Sequence, residues 1–230
     1  GSTYTVSMIK DILWKEARPC NYGHIFYDTP TRRQLLVGGA IERFIQESGL
    51  NYIGTEYVPF VPVDTTVQLK RLADKGADWI LLNASPPAGK TIMDDARRLG
   101  MTPKTKFVMV AMPEPTVRKS PESFEGCYDT KPVSSWGEDL PGVRLAKELI
   151  QRYRPGSAPY KDLSWAYLSG VASAVILEDS VGRALGKDGY ENLSGEAIRE
   201  ALFSSKNLDT GGIMPEITLD PEFPYAYCDY

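Results

Sequence analysis

Histidine and cysteine are scarce in this sequence: its 230 residues hold one histidine, His24, and three cysteines, Cys20, Cys127 and Cys228. The cysteines stand far apart, without the paired spacing of a metal knuckle. With a single imidazole beside them they form no ligand cluster, so no metal centre and no cofactor is expected. The thiols leave two readings open, buried free cysteines or one disulfide with a leftover thiol in an exported chain. No apolar run is long enough to span a bilayer. A basic stretch interleaved with aromatics is lacking too. With 26 basic and 30 acidic residues the net charge is −4, which argues against a nucleic-acid partner. No signal peptide opens the chain, but Gly1-Ser2 reads as the remnant of a tag, so this lack says nothing about export.

Signs of catalysis are equally sparse. The Gly-x-Ser-x-Gly nucleophile elbow is absent, and His24 sits inside an apolar stretch, where a packed core histidine is expected. Acid–base pairs are easy to imagine among 30 carboxylates, so their presence alone carries no weight. Nothing supplies an activated nucleophile with an orienting partner, and the chain is not expected to be an enzyme.

What is there is an alternation of helix and strand. The stretch DWILLNASPPAGKTIMDDARRLGM, Asp78 to Met101, runs from an apolar strand through a small-residue turn and Gly-Lys-Thr into a helix, nearly the order of a nucleotide-binding P-loop. Two features oppose that reading. Ala84 stands where the first loop glycine belongs, and Pro86 and Pro87 have no N–H to offer a phosphate. The prolines instead favour a helix start, with Ser85 or Asn83 near the cap position.

Around this stretch the spacing predicts an amphipathic helix over 4–17 and a buried strand at 21–28. A helix follows over 31–49 and a strand at 50–59. Next come a helix capped by Asp64, a strand at 77–83, the helix after Pro87, a strand at 105–112 and a shorter one near 124–133. Strands apolar on both sides, alternating with helices, indicate an α/β fold with a parallel sheet covered on both faces. Ligands in such sheets sit beyond the carboxyl ends of the strands. Those ends are Asp28 to Arg33, Asn83 to Pro87 and Met112 to Pro115, three turns on one rim. After Val133 come helices at 140–153, at 163–185 and at 194–205, the last opened by Ser194. The middle one is apolar on most faces and carries small residues at Ser169, Gly170, Ala172, Ser173 and Ala174, so another element should cover it. A Gly211-Gly212 turn and short strands close the chain, with Tyr225, Tyr227 and Tyr230 read as strand packing.

In their order and spacing, IFYDTPTRRQ, the stretch from Gly49 to Asn83, DDARRLGM, FEGCYDTKP, LSWAYLSGVASAVILEDSVGRA and LDTGGIMPEITLDPE resemble a known family. It is the type I periplasmic solute-binding proteins of ABC transporters, the leucine/isoleucine/valine-binding branch and its relatives for aromatic and amide ligands. The resemblance covers nearly the whole chain. It implies a Rossmann-like second lobe at 1–133, helices at 134–210 that belong to the other lobe, and C-terminal crossover strands at 211–230. A first lobe of about a hundred residues or more, an ordinary domain size, would precede residue 1, making this a C-terminal fragment. The face meant for that lobe would then invite self-association.

The resemblance also implies a pocket. Thr31 and Arg32 match the turn after the first strand, where the family often has Tyr-Gly. Arg32 could pair with a ligand carboxylate or with the opposite lobe. Asn83 and Ser85 form the second contact region, Met112 and Glu114 the third, and Asp162 a contact from the returning segment. Glu114 could hold an ammonium group or merely cap the segment after its strand. The implied function is extracytoplasmic, periplasmic binding of a small amino-acid-like or aromatic carboxylate or amide solute between closing lobes, for delivery to membrane permease subunits. A sensory receptor domain of the same fold is the alternative, and a P-loop-like nucleotide binder a remoter one.

Overall fold

A computed structural model describes residues 2–35, 37, 39–156 and 163–222 of the chain. Two compact units emerge, one ending at Lys131 and the other beginning at Pro132.

The first unit is an α/β lobe. Its strands are β1 (Asn21–Tyr27), β2 (Asn51–Val58), β3 (Trp79–Asn83), β4 (Lys106–Val110) and β5 (Tyr128–Thr130), all parallel and arranged β2-β1-β3-β4-β5. Its helices are α1 (Ser2–Ser7), α2 (Pro30–Leu35), α3 (Ala40–Glu47), α4 (Thr66–Asp74), α5 (Pro86–Arg98), α6 (Glu114–Lys119) and α7 (Pro121–Phe124). The inner strands β1, β3 and β4 are apolar on both sides because both sides are covered. Tyr22, Phe26, Trp79, Leu81 and Val108 meet Val6, Ile9 and Ile45 on one face. Ile25, Ile80, Leu82, Phe107 and Met109 meet Leu69 and Leu72 of α4 and Ile92 and Met93 of α5 on the other. This alternation is the strand period of two, read into two cores instead of one core and solvent.

Several elements differ from the sequence expectation. The helix expected over 31–49 is two helices, and Gly39 between them has φ 67°, a left-handed conformation that a β-carbon disfavours. The helix expected to reach Ala17 ends at Leu13 after a π-helical turn, Met8–Leu13. Trp14 then turns extended, with its indole N–H donating to Arg18 O at 2.8 Å. Short helices α6 and α7 fill the link between β4 and β5, where the sequence showed no helical period. His24 is buried with its ring stacked on Phe26, and burial pushes its pKa down to about 3, so it is neutral. Cys20 and Cys127 are free thiols, and burial raises both to about 12, which keeps them protonated and unreactive.

The second unit is helical: α8 (Pro141–Tyr153), α9 (Trp165–Asp188) and α10 (Gly195–Phe203). Ser164 and Ser194 cap α9 and α10, their hydroxyls accepting from Ala166 N and Ala197 N. Its core joins Val143, Ala146 and Ile150 of α8 to Leu168, Val171 and Ala172 of α9 and to Ile213. Gly142 allows the close approach of the 210–213 turn, since a β-carbon there would lie 2.5 Å from Thr210 O. Instead of short C-terminal strands, the described residues hold one isolated antiparallel bridge, Leu208 to Ile217. Pro215 and Pro221 flank the bridge, and proline cannot donate to a ladder. Tyr225, Tyr227, Tyr230 and Cys228 lie outside the described residues.

Candidate functional site

The strand order marks where sheets of this kind take a ligand. The chain winds outward from β1 to β2, then crosses back to β3 and continues through β4 to β5. The direction of winding therefore reverses between β1 and β3, which makes their carboxyl ends the switch point of the sheet. Phe26 of β1 lies in register with Asn83 of β3, so the residues just after them share this place.

On the β1 side stands Arg32, at the start of the short α2, with its N–H donating to Thr29 Oγ1 at 3.3 Å. Its guanidinium lies 4.2 Å from the centre of the Tyr27 ring and 5.7 Å from that of Phe26. One terminal nitrogen donates to Tyr27 Oη at 3.1 Å. Its Nε is buried and has no hydrogen-bond partner among the described residues. Thr31 beside it is exposed. Arg33 points elsewhere, forking Asp28 at 2.5 and 2.7 Å, and that hydrogen-bonded cation holds the Asp28 carboxyl below its ordinary range.

On the β3 side, Asn83 is half-buried and Ser85 buried. Ser85, not Asn83, caps α5: its hydroxyl accepts from Ala88 N at 3.3 Å and donates to Phe60 O. That second bond ties down the loop after β2. Phe60 meets Tyr27 edge-on, ring centres 5.7 Å apart, and is 61% exposed, with Val63 beyond it 97% exposed. Tyr27 and Phe60 were not singled out by the sequence. The one available signal was an apolar Phe-Val-Pro-Val run continuing past the strand end, where polar loop residues are usual.

The P-loop likeness dissolves in this geometry. Gly89, the glycine of Gly-Lys-Thr, faces Met112: a β-carbon there would lie 2.5 Å from the Met112 methyl. Lys90 pairs with Asp94 one turn along α5 at 2.5 Å. The glycine serves packing and the lysine a helix-surface ion pair.

On the β4–β5 side, Met112 is 3% exposed, its side chain packed into the core, while its N–H donates to Asp129 Oδ1 at 3.2 Å. Ala111 before it is left-handed, φ 56°, with its N–H bonded to Thr130 O. Glu114 and Asp129 share one cation, Lys131 Nζ, at 3.4 and 3.2 Å. Burial raises the Asp129 pKa, an effect that Lys131 and the Met112 N–H only partly offset. Asp129 and Lys131 were also missed, because a strand of three residues gives little periodic signal. Asp162 lies outside the described residues. The structure thus brings Arg32 and Asn83 to the ends of two adjacent strands and Glu114 to the next strand pair, with Ser85 and Met112 buried.

An open depression of about 710 Å³ lies in the helical unit. Its Arg183 is already satisfied by Asp179 at 2.7 Å and by the Ser204 and Ser205 hydroxyls. Among the described residues no group of His, Cys, Asp or Glu could hold a metal ion, and no helix is long and apolar enough to cross a membrane.

A doubly wound parallel lobe with its polar groups at the switch point defines a ligand-binding α/β class. More narrowly, the periplasmic binding protein family pattern matches residues 9–222, and the chain belongs to that family, with the type I fold. Three solved structures are similar. A branched-chain amino acid ABC transporter protein from Thermus thermophilus with bound valine superposes with a TM-score of 0.79 at 20% identity, over 97% of this chain and 58% of that one. A substrate-binding protein from Aeropyrum pernix gives 0.74 at 18% identity, over 98% and 59%. A fatty acid ABC transporter substrate-binding protein from Thermomonospora curvata gives 0.71 at 20%, over 93% and 53%. The chain therefore spans little more than half the length of these relatives. No curated protein sequence matches it.

Proposed function

We propose that this chain is part of the solute-binding component of an ABC importer, working outside the cytoplasm, with the strand-end rim as one wall of its pocket. Support comes chiefly from Arg32: a half-buried cation with an unpartnered Nε stands at the switch point of a fold whose family binds solutes. In this reading residues 1–133 form the second lobe, 134–210 serve the first, and 211–230 cross over again. The two lobes close about hinges, polar groups orient the solute, apolar walls exclude water, and permease subunits recognise the closed form. The exposed side of α9, with Leu177 57% exposed, is the face on which a first lobe or a second copy packs. The valine and fatty acid named for two of the similar structures are both carboxylates on apolar bodies, which makes that the first class to try.

A thermal-shift panel of amino acids, aromatic acids, fatty acids and Mg-ATP tests this. A solute that binds only the folded chain raises Tm by mass action, about 2.7 kcal/mol of stability at a hundred times Kd. A rise with members of the carboxylate classes is expected. A rise with Mg-ATP alone would overturn the reading.

A further inference from the structure

We infer that α4 guards the free edge of the sheet: Gln68, Arg71 and Lys75 lie along β2 and keep a second copy of this chain from adding its own β2 there. This holds whatever solute the chain binds.

β2 is a strand that needs a guard. Among the described residues it pairs with β1 alone, so its other side is an edge. It runs for 8 residues, against 3 for β5 at the opposite edge. Its sequence, Asn-Tyr-Ile-Gly-Thr-Glu-Tyr-Val, is rich in the aromatic and β-branched residues that favour strands and carries a single charge. A long, nearly neutral edge invites a further strand, because it offers a row of backbone N–H and C=O groups. These groups alternate in direction along a strand. Asn51 N–H donates to Cys20 O, and Val58 O accepts from the Asp28 N–H. Counting back from Val58 leaves the backbone groups of Tyr57 and Thr55 facing away from β1.

Carbonyls on that outer side are already taken. Gln68 Nε2 donates to Tyr57 O at 3.3 Å, and Lys75 Nζ to Ile53 O at 2.8 Å. Between them Arg71 pairs with Glu56 at 3.2 Å. Positions 68, 71 and 75 stand three and four residues apart, which puts them on one face of α4 and its C-terminal cap. They meet 57, 56 and 53 in reversed order, as a helix antiparallel to its strand does. The backbone is shaped for the lysine too. The β1–β2 register slips between Tyr22 and Gly23, and Gly54, next to Ile53, has φ 120°. A β-carbon on Gly54 would lie 3.2 Å from Lys75 Nζ. A bulge that twists the edge and a lysine laid over it both oppose strand addition. An incoming strand would have to displace both caps and take the ammonium out of water.

The test removes the donors while keeping side-chain length. Gln68→Met combined with Lys75→Met is compared with Lys75→Arg, which keeps a donor, and with Lys70→Met, the same change at an exposed position elsewhere on α4. Sedimentation velocity over a concentration series reads association, circular dichroism confirms folding, and hydrogen exchange locates the contact. The double variant should associate at roughly tenfold lower concentration than the parent chain, because a symmetric pair of edges frees the carbonyls of both copies. The Thr55 and Tyr57 amides should become protected as it does so, which separates this contact from one through α9. Lys75→Arg and Lys70→Met should behave as the parent. A double variant no more prone to associate than the parent would overturn the guard, as would association that leaves those two amides unprotected. Equal association by Lys70→Met would overturn it too, assigning the effect to an added methionine. If the double variant loses its fold, Lys75→Met alone is challenged with a labelled peptide of residues 51–58. The peptide should bind this variant and not the parent; binding to both alike, or to neither, sinks the inference.

Discussion

The two units of this chain treat their apolar residues differently. In the sheet unit the inner strands are wrapped, and Tyr22, Ile25, Ile80, Leu81, Leu82 and Val108 have essentially no exposure. In the helical unit, α9 is free of charges from Trp165 to Leu177, yet of its 24 residues the buried ones are Leu168, Val171, Ala172, Ser180 and Ala184. Leu177 is largely exposed, and Gly170, Ser173 and Ala174 lie open beside it. A helix that is apolar all round is ordinarily buried all round. The contrast shows that apolar pattern reports what a segment is built to touch, whether or not the same unit supplies the partner.

Mutations can break that contrast directly. Leu81→Ala, in the middle of β3 between two helical layers, should cost about 3 kcal/mol, the usual range for a large-to-small change in a closed core. Urea denaturation followed by circular dichroism measures it, and a loss below about 1 kcal/mol would mean the sheet core is looser than its burial implies.

A smaller effect comes from the single histidine. Its folded pKa lies far below the ordinary 6.5, so between those values the unfolded chain binds a proton that the folded chain refuses. The contribution is therefore fully present above 6.5 and declines as pH falls, by about 2 kcal/mol between about pH 7 and 5 for one such group. Because His24 is the one histidine, its ring resonances can be followed without assignment, and they should stay flat through pH 6.5. A midpoint near 6.5 would show that the ring reaches water.

The smallest effect is expected at Leu177→Ala on α9, within about 0.5 kcal/mol in this chain, as for an exposed position. A loss like that at Leu81 would show that α9 is covered in solution. A rise in the dissociation constant of any dimer, read by sedimentation, would identify a second copy as the cover.

Much of the lobe was legible in the sequence. The strands from Asn21 and from Trp79 announce themselves by apolar residues on consecutive positions, and Pro86-Pro87 marks the start of α5. The break at Gly39 was less legible, because the helical period of 31–49 continues across it while one left-handed glycine redirects the axis. Links without a period, such as 114–124, hid two short helices. The candidate site was legible in part: strand ends put Arg32 and Asn83 on the rim and the resemblance singled them out, but the contacts around them could not be read. That Arg33 is taken by Asp28 while Arg32 is left over cannot be read from two adjacent arginines.

The sequence by itself determined the parallel α/β class, the strand ends that share one rim, and the loss of the P-loop pattern where Pro86 and Pro87 remove N–H groups. These are local properties of period, propensity and covalent structure. Tertiary structure alone decided that Gly89 makes room for Met112, that Ser85 anchors Phe60, and that Lys131 stands between two carboxylates while Arg32 has no carboxylate partner among the described residues. Each of those depends on which groups from distant segments come within a few ångströms of one another, and a linear pattern carries no distances.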